Sequence, residues 1–291
     1  MTYLHEHLKA IGDFPGVVQI AASAPLHELL TDPAQGNADA SAAPLTYHGG
    51  KLINNGQGKF YNIYLGAQNF DTVDFDAFTK AICENGYYLS PDGKDSTPCV
   101  FRGSVTVGQY PFGPVVTDAQ IGQWLTSWLT LPHDPYTQFS LIFPPNTTVT
   151  LGGSSSCTAF CGYHTRTPGG IYYQVICDSN CSGCHDSFPV NQSRMMIQAH
   201  ELGEWRSDPD GNGWYNDQTG MENGDECAWQ LIPWGPAGKS WAVQPLAVSG
   251  ACHTGLYVPP GPPPPPPPPP TTKGSIVLTE PSGAVRRFTE V

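Results

Sequence analysis

The segment from Ala199 to Trp205 constrains the fold of this chain most, because it places one histidine and two glutamates at the spacing of about one helical turn. In the H-E-x-x-H signature of zinc peptidases, two histidines one turn apart bind the ion and the intervening glutamate activates water. Here Glu204 stands where the second histidine would be, and a glutamate oxygen is also a zinc ligand. The segment therefore predicts a helix on which His200 and Glu204 bind a metal ion and Glu201 is the general base.

The flanking sequence predicts the limits of this helix. Ser193 is the predicted N-cap, since a serine hydroxyl accepts a hydrogen bond from an N–H of the first turn. The step from Asp208 to Pro209 predicts the end, because a residue before proline avoids the α region. An exposed polar helix with an incidental histidine is the alternative interpretation.

A later segment offers the third ligand. Glu222 would complete three protein ligands, and water would then fill the fourth position, as in catalytic zinc sites. Asp225 is predicted to accept the other ring N–H of His200 and so to fix its tautomer. A solvated turn is the alternative for both Glu222 and Asp225.

Calcium competes with zinc in one part of this region. Asp208, Asp210 and Asn212 match the opening of a calcium loop, D-x-[DN]-x-[DN]-G. The closing position falls at Thr219, which cannot chelate with two oxygens, so a glycine-rich turn is the alternative. Zinc is therefore the expected cofactor and calcium the second choice. His164 is expected to be a structural histidine, with a role in ligand or substrate binding as the alternative.

Charge and cysteine content limit the partners and the compartment. The chain has 25 acidic and 13 basic residues and a net charge of −12, which argues against nucleic acid or an anionic membrane as a partner. Its nine cysteines predict at least three disulfides and an oxidising compartment. We therefore expect a secreted protein, although the residues after Met1 lack the apolar stretch of a signal peptide.

Changes in composition divide the chain into four predicted regions. These are a leader or propeptide-like arm at 1–45, a metal domain at 46–258, a polyproline linker at 259–272 and a short tail at 273–291. Within the metal domain, apolar periodicity predicts helices at 74–83 and 117–130 and strands at 59–66, 139–143, 147–151 and 171–177. The alternating tail is expected to form a hairpin.

Several short motifs occur in a fixed order between residues 46 and 230. They are Tyr47-His48-Gly49-Gly50, Phe160-Cys161-Gly162-Tyr163-His164, Cys181-Ser182-Gly183-Cys184, the His200 to Pro209 helix, Trp214-Tyr215 and Glu222-Asn223-Gly224-Asp225-Glu226-Cys227. In this order they resemble the phosphate-induced protein (exordium) family of secreted proteins and related microbial sequences. The resemblance implies a secreted, cysteine-bearing domain with a zincin-like helix, and an association with growth and the cell wall.

Together these features predict an α+β fold, a zincin-like metallohydrolase domain with a mixed sheet and stabilising disulfides. The predicted function is that of a secreted zinc metallopeptidase, which acts on a peptide or protein substrate through metal-activated water. The alternative is a non-catalytic extracellular or cell-wall-associated protein with a structural zinc or calcium site. A structural site would be closed by four protein ligands, whereas a catalytic site keeps one position open.

Overall fold

A six-stranded mixed sheet is the central element of the larger of two compact units, residues 1–259 and 260–291. The computed structural model describes residues 18–21, 42–185, 188–256, 276–279 and 285–288. The described strands are β1 (Val18–Ala21), β2 (Thr46–Tyr47), β3 (Lys59–Leu65), β4 (Val100–Val107), β5 (Val115–Thr117), β6 (Thr137–Ile142), β7 (Thr148–Leu151), β8 (Ser154–Ser155), β9 (Phe160–Arg166), β10 (Tyr172–Ile176), β11 (Trp214–Tyr215), β12 (Ile232–Pro233), β13 (Ala242–Val243), β14 (Leu246–Val248), β15 (Ala251–His253), β16 (Ile276–Thr279) and β17 (Val285–Phe288).

The order of the central sheet is β1-β9-β10-β6-β3-β4. Strands β10, β6, β3 and β4 pair in parallel, whereas β9 is antiparallel to both β10 and β1. Strands β5, β7 and β8 form a separate sheet, and β2 with β11, β12 with β13 and β14 with β15 form pairs. In the smaller unit, β16 and β17 pair antiparallel, as the alternation of the tail predicted.

Four α-helices lie among the described residues: α1 (Thr72–Glu84), α2 (Asp118–Trp128), α3 (Ser182–His185) and α4 (Val190–Ser207). The predictions for α1 and α2 are confirmed, because Asp71 caps α1 and Thr117 forms a capping box with Gln120 at α2. An α+β fold with mixed sheets and disulfides is therefore confirmed. None of the described helices has the length and apolarity that crossing a membrane requires.

One strand comes from the predicted leader. Val18–Ala21 pairs antiparallel with β9, so this part of 1–45 belongs to the central sheet. Without this strand, β9 would present a row of unpaired N–H and C=O groups at the edge of the sheet. The sequence of the strand is also suitable, because Val18 and Ile20 are β-branched residues, which favour strands. Residues 1–17 and 22–41 lie outside the described residues, as does the linker at 259–272.

The two faces of the sheet carry different side chains, because residues alternate along each strand. The face toward α2, called the α2 face, is an apolar cluster that includes Ile63, Phe139, Leu141, Val175, Ile121 and Leu125. The opposite face, called the α4 face, packs against α1 and α4 and includes Phe60, Tyr64, Phe75, Phe78, Ile197, Leu202 and Trp205.

Helix α4 is buried on all sides from Ser193 to Ser207. Its end before Asp208 is confirmed, but its start is not at Ser193, because the helix begins at Val190 after Pro189. The Ser193 hydroxyl donates to the Cys184 carbonyl of α3 and does not cap the helix. The predicted N-cap was wrong because the serine serves a tertiary contact that no local pattern records.

A buried hydrogen-bond network fixes α4 on the sheet. Gln198 Oε1 accepts from Ser140 Oγ at 2.6 Å and from Gln174 Nε2 at 2.9 Å. Gln198 Nε2 donates to Asn62 Oδ1 at 2.9 Å, so one side chain contacts three adjacent strands. This network sets the rotation of α4 two residues before His200.

Candidate metal centre

Ionisable side chains from three segments converge at the C-terminal half of α4. Strand β9 supplies His164, α4 supplies His200, Glu201 and Glu204, and the segment after β11 supplies Glu222 and Asp225. His164 and Glu222 are 1% exposed, and the three residues of α4 are 0% exposed. This concentration of charge in the interior requires either protons or a bound cation.

Within this cluster two groups of side chains could hold an ion, and both include Glu204. In the first group, His200 Nε2 lies 2.9 Å from Glu204 Oε1 and 3.7 Å from Asp225 Oδ1. In the second group, His164 Nδ1 lies 3.4 Å from Glu201 Oε2 and 3.6 Å from Glu204 Oε2. The two oxygens of Glu204 therefore face different histidines.

Many buried polar atoms of this cluster have no hydrogen-bond partner. They are His164 Nδ1, His200 Nε2, Glu204 Oε2, Asp208 Oδ2 and both carboxylate oxygens of Glu201 and Glu222. Each such group costs about 1–3 kcal/mol when it is left unsatisfied in the interior. Imidazole nitrogens and carboxylate oxygens are zinc ligands, so the donor set fits the expected ion.

Asp225 and Glu222 lie differently from the sequence expectation. Asp225 faces Nε2 of His200, on the ligand side, and Gln244 Nε2 contacts the other ring nitrogen, Nδ1, at 2.8 Å. Glu222 Oε2 instead lies 3.8 Å from His164 Nε2 and belongs to neither ion-binding group of the described residues. The structure thus brings His200, Glu204 and Asp225 together. The Gln244 amide N–H donates to Nδ1 and holds the ring, so an ion on Nε2 would replace the proton of the neutral ring there.

The sequence patterns did not predict two residues of this cluster, Gln244 and His164. Gln244 lies 44 residues after His200, and no motif connects the two. A signal for His164 does exist in the alternation of β9, which puts it on the same face as Gly162. A Cβ at Gly162 would lie 2.8 Å from Glu201 Oε1, so the glycine leaves room for that carboxylate.

The predicted calcium loop does not gather its carboxylates. Asp208 Oδ1 accepts from the Gly213 N–H at 2.7 Å, while Asp210 Oδ1 accepts from the Tyr172 hydroxyl at 2.8 Å. The Asn212 carbonyl accepts from the Gly50 N–H at 2.8 Å. Neither Asp208 nor Asp210 occurs in a group of ion-binding His, Cys, Asp or Glu side chains in the described chain.

Burial and the close carboxylates have opposite effects on the pKa values of His164 and His200. Burial alone would lower the pKa of His164, but Glu201 and Glu204 raise it to about 10. Burial likewise opposes the charged form of His200, and Glu204 with its neighbours raises the pKa to about 9. Burial raises the pKa of Glu201, whereas the two histidines outweigh burial at Glu204 and lower its pKa. Without an ion, protons therefore occupy the histidines.

Disulfides hold the segments that carry the site. Cys157–Cys181 and Cys161–Cys184 join the start of β9 to α3 and its approach, and Cys227–Cys252 joins the turn after Asp225 to β15. The prediction of at least three disulfides is confirmed. The remaining cysteines, Cys83, Cys99 and Cys177, are buried and unbonded.

Gly224 allows the turn of Asp225 to approach α4. A Cβ at this position would lie 2.8 Å from both Glu204 Oε1 and His200 Nδ1, which is closer than real Cβ contacts. The backbone here also donates from Asp225 N–H to Glu204 Oε1 at 3.2 Å.

Comparison with known proteins adds no relative. No protein-family model, no curated protein and no solved structure matches this chain significantly. The resemblance to the exordium family therefore stays a prediction that rests on the motifs.

Proposed function

We propose that this protein is a secreted metal-dependent hydrolase of the zinc peptidase type, with the ion held by His200, Glu204 and Asp225. The observation that carries the proposal is the buried, unpartnered Nε2 of His200, which lies 2.9 Å and 3.7 Å from the two carboxylates. Three protein ligands is the number found in catalytic zinc sites, which leave the fourth position open. The zincin-like helix of the proposal is α4.

Glu201 is the proposed general base. A zinc ion at this site supplies Lewis acidity, which polarises a carbonyl and lowers the pKa of water. Both oxygens of Glu201 lack hydrogen-bond partners, and burial raises its pKa toward the range in which a carboxylate accepts protons well. His164 Nδ1, 3.4 Å from Glu201 Oε2, lies on one side of this carboxylate and restricts its orientation.

The three disulfides support an oxidising compartment for this activity, because such bonds persist mainly outside the cytosol. A peptide or protein is the proposed substrate class, as for other enzymes that combine a helix glutamate with a zinc ion. Cell-wall association follows only from the exordium resemblance.

Burial favours a second candidate, a non-catalytic extracellular protein with a structural metal site. His200, Glu201 and Glu204 are 0% exposed, and a substrate would have to reach them through a movement of the surrounding chain. A structural ion needs no such access. The two candidates share His200, Glu204 and Asp225 as ligands. They differ in whether a fourth protein ligand closes the site and in whether Glu201 transfers a proton.

Glu201→Gln tests the choice between these candidates. We expect the zinc bound by His200 to remain, while hydrolysis of a mixed peptide library falls by about 10²-fold or more, the effect of losing a general base. Glu84→Gln on α1 is the matched control and should leave both quantities unchanged. Zinc-loaded wild type that hydrolyses no peptide at any pH would establish the structural candidate. Equal zinc in wild type and His200→Ala would place the ion elsewhere.

A further inference from the structure

We infer that the centre binds a second divalent transition-metal ion, between His164, Glu201 and Glu204. Glu204 then bridges two ions, one on each of its carboxylate oxygens. This inference rests on the proposed ion at His200 and adds a second position to it.

The orientation of Glu204 is the first reason. Its Oε1 faces His200 Nε2 at 2.9 Å, and its Oε2 faces His164 Nδ1 at 3.6 Å. An ion bound at Oε1 leaves Oε2 buried and without a hydrogen-bond partner. A second ion satisfies that oxygen and the unpartnered His164 Nδ1 together.

The spacing of the second group is that of metal ligands. Ligands about 2.0–2.2 Å from a tetrahedral zinc ion lie roughly 3.4 Å from one another. His164 Nδ1 is 3.4 Å from Glu201 Oε2 and 3.6 Å from Glu204 Oε2, beyond the usual N–H···O range of about 2.7–3.2 Å. The three atoms are therefore spaced as ligands of one ion rather than as hydrogen-bond partners of one another.

The orientation of the His164 ring agrees with this role. Its Nε2 lies 3.3 Å from the backbone carbonyl of Asp208, which only accepts hydrogen bonds. Nε2 therefore carries a proton, and in the neutral ring the lone pair of Nδ1 points at two carboxylates. Metal-bound histidines commonly donate their other ring N–H to a carbonyl in this way. A doubly protonated His164 is the alternative to the ion.

The charge of the cluster is a further reason for the second ion. Five carboxyl groups lie together here, those of Glu201, Glu204, Asp208, Glu222 and Asp225, and no lysine or arginine of the described chain forms an ion pair with them. The nearby Arg206 of α4 instead donates to the Ile53 carbonyl and packs on the Tyr88 ring. A second divalent ion offsets carboxylate charge that one ion leaves unbalanced.

The second ion is compatible with Glu201 as general base, because the two roles use different oxygens. Oε2 faces His164, whereas Oε1 points at the space beside Gly162. Two-metal sites in hydrolytic enzymes stabilise both the attacking and the leaving oxygens. A second ion held by His164, Glu201 and Glu204 would add Lewis acidity of this kind.

Zinc stoichiometry tests the inference without reference to activity. The full chain is produced with Zn²⁺ in the medium, purified without chelator and analysed for elemental zinc, as wild type, His164→Gln, His200→Gln and the exposed control His133→Gln. We expect about two zinc ions per chain in wild type and His133→Gln, and about one in each of the other variants. Circular dichroism confirms that each variant folds.

Other zinc counts would distinguish a failure of the second position from a failure of the proposed function. One zinc in wild type that His164→Gln retains and His200→Gln loses would overturn the second position and leave the proposed function standing. One zinc that both variants lose would mean a single shared ion and would also overturn it. No zinc in folded wild type would remove the proposed function as well. If His164→Gln does not fold, titration of chelator-treated wild type with Zn²⁺ against a coloured chelator counts the sites instead, and one site would refute the inference.

Discussion

The α2 face and the α4 face of the central sheet are built on the same strands and both bury apolar side chains, but the α4 face also carries the candidate metal centre. The α2 face places Leu141 and Val175 against Ile121 and Leu125, and its stability comes from apolar area removed from water. The α4 face carries the polar network of Gln198 and then the histidines and carboxylates of the candidate centre. A buried ionic site costs stability unless its charges are compensated, so the α4 face carries a cost that the α2 face does not.

Paired alanine variants on the two faces should separate these roles most strongly. Glu204→Ala removes the carboxylate that both ion-binding groups share, so we expect at least a tenfold loss of zinc affinity and loss of the zinc-dependent rise in stability. At a zinc concentration of about 1,000 times Kd, that rise amounts to about 4 kcal/mol. Zinc titration and thermal unfolding with and without chelator measure both.

Leu141→Ala is the matched variant on the α2 face. Leu141 is 0% exposed, and such a substitution costs about 2–5 kcal/mol through lost burial and a cavity. We expect this loss with or without zinc, and no change in zinc content. Comparable zinc loss in both variants would show that the two faces are not separate in function.

The pH dependence of stability should also distinguish the faces. In the metal-free protein the carboxylates raise the pKa of His164 to about 10 and of His200 to about 9, against burial, which would lower both. A group whose folded pKa is raised stabilises the fold fully below its unfolded pKa, about 6.5 for histidine, and loses that contribution as the pH rises through the folded pKa. The thermal midpoint of chelated protein should therefore fall between pH 7 and 10.

Zinc should reverse this trend, because it binds the deprotonated ring and replaces the proton. The zinc-induced rise in midpoint should grow from pH 7 to pH 9. His164→Gln should show a smaller fall in the chelated state, while Leu141→Ala should keep the wild-type slope. A midpoint of chelated wild type that is constant or rises over this range would contradict the pKa shifts.

Local patterns predicted those parts of the fold that local forces determine. Helix α2 has both a periodic apolar stripe and a capping box at Thr117, and the end of α4 follows from Pro209. The start of α4 was missed because the Ser193 hydroxyl, which was expected to cap the helix, donates to the Cys184 carbonyl of α3 instead. The pairing of Val18–Ala21 with β9 was missed because its residue partners lie 139 to 146 positions apart in the chain.

The same limit applies to the site. Helical spacing placed His200, Glu201 and Glu204 together, since all three belong to one element. The sequence patterns predicted Glu222 as the third ligand and Asp225 behind the His200 ring, whereas Asp225 faces His200 Nε2. That position depends on the 3₁₀ turn at Asp225–Cys227 and on the close approach of Gly224. His164 reaches the site through the packing of β9 on α4, and Gln244 through the packing of β13, the strand before it, on α4.

The smallest expected effect is that of a change at Gln198. This residue lies on the α4 face and holds α4 in position on the central sheet through its hydrogen bonds. Gln198→Met keeps nearly the same shape but removes the bonds to Ser140, Gln174 and Asn62. Unpartnered buried groups cost about 1–3 kcal/mol, and loss of a group that orients ligands lowers metal affinity by about 10–100-fold. We therefore expect a moderate fall in stability together with weaker zinc binding, although Gln198 touches no proposed ligand. Gln192, nearer the start of α4, donates to the Ser240 carbonyl in an exposed position. Gln192→Met is therefore the matched control and should change stability by no more than about 0.5 kcal/mol. Destabilisation of Gln198→Met with unchanged zinc affinity would show that the network supports the fold and that the carboxylates hold their places without it.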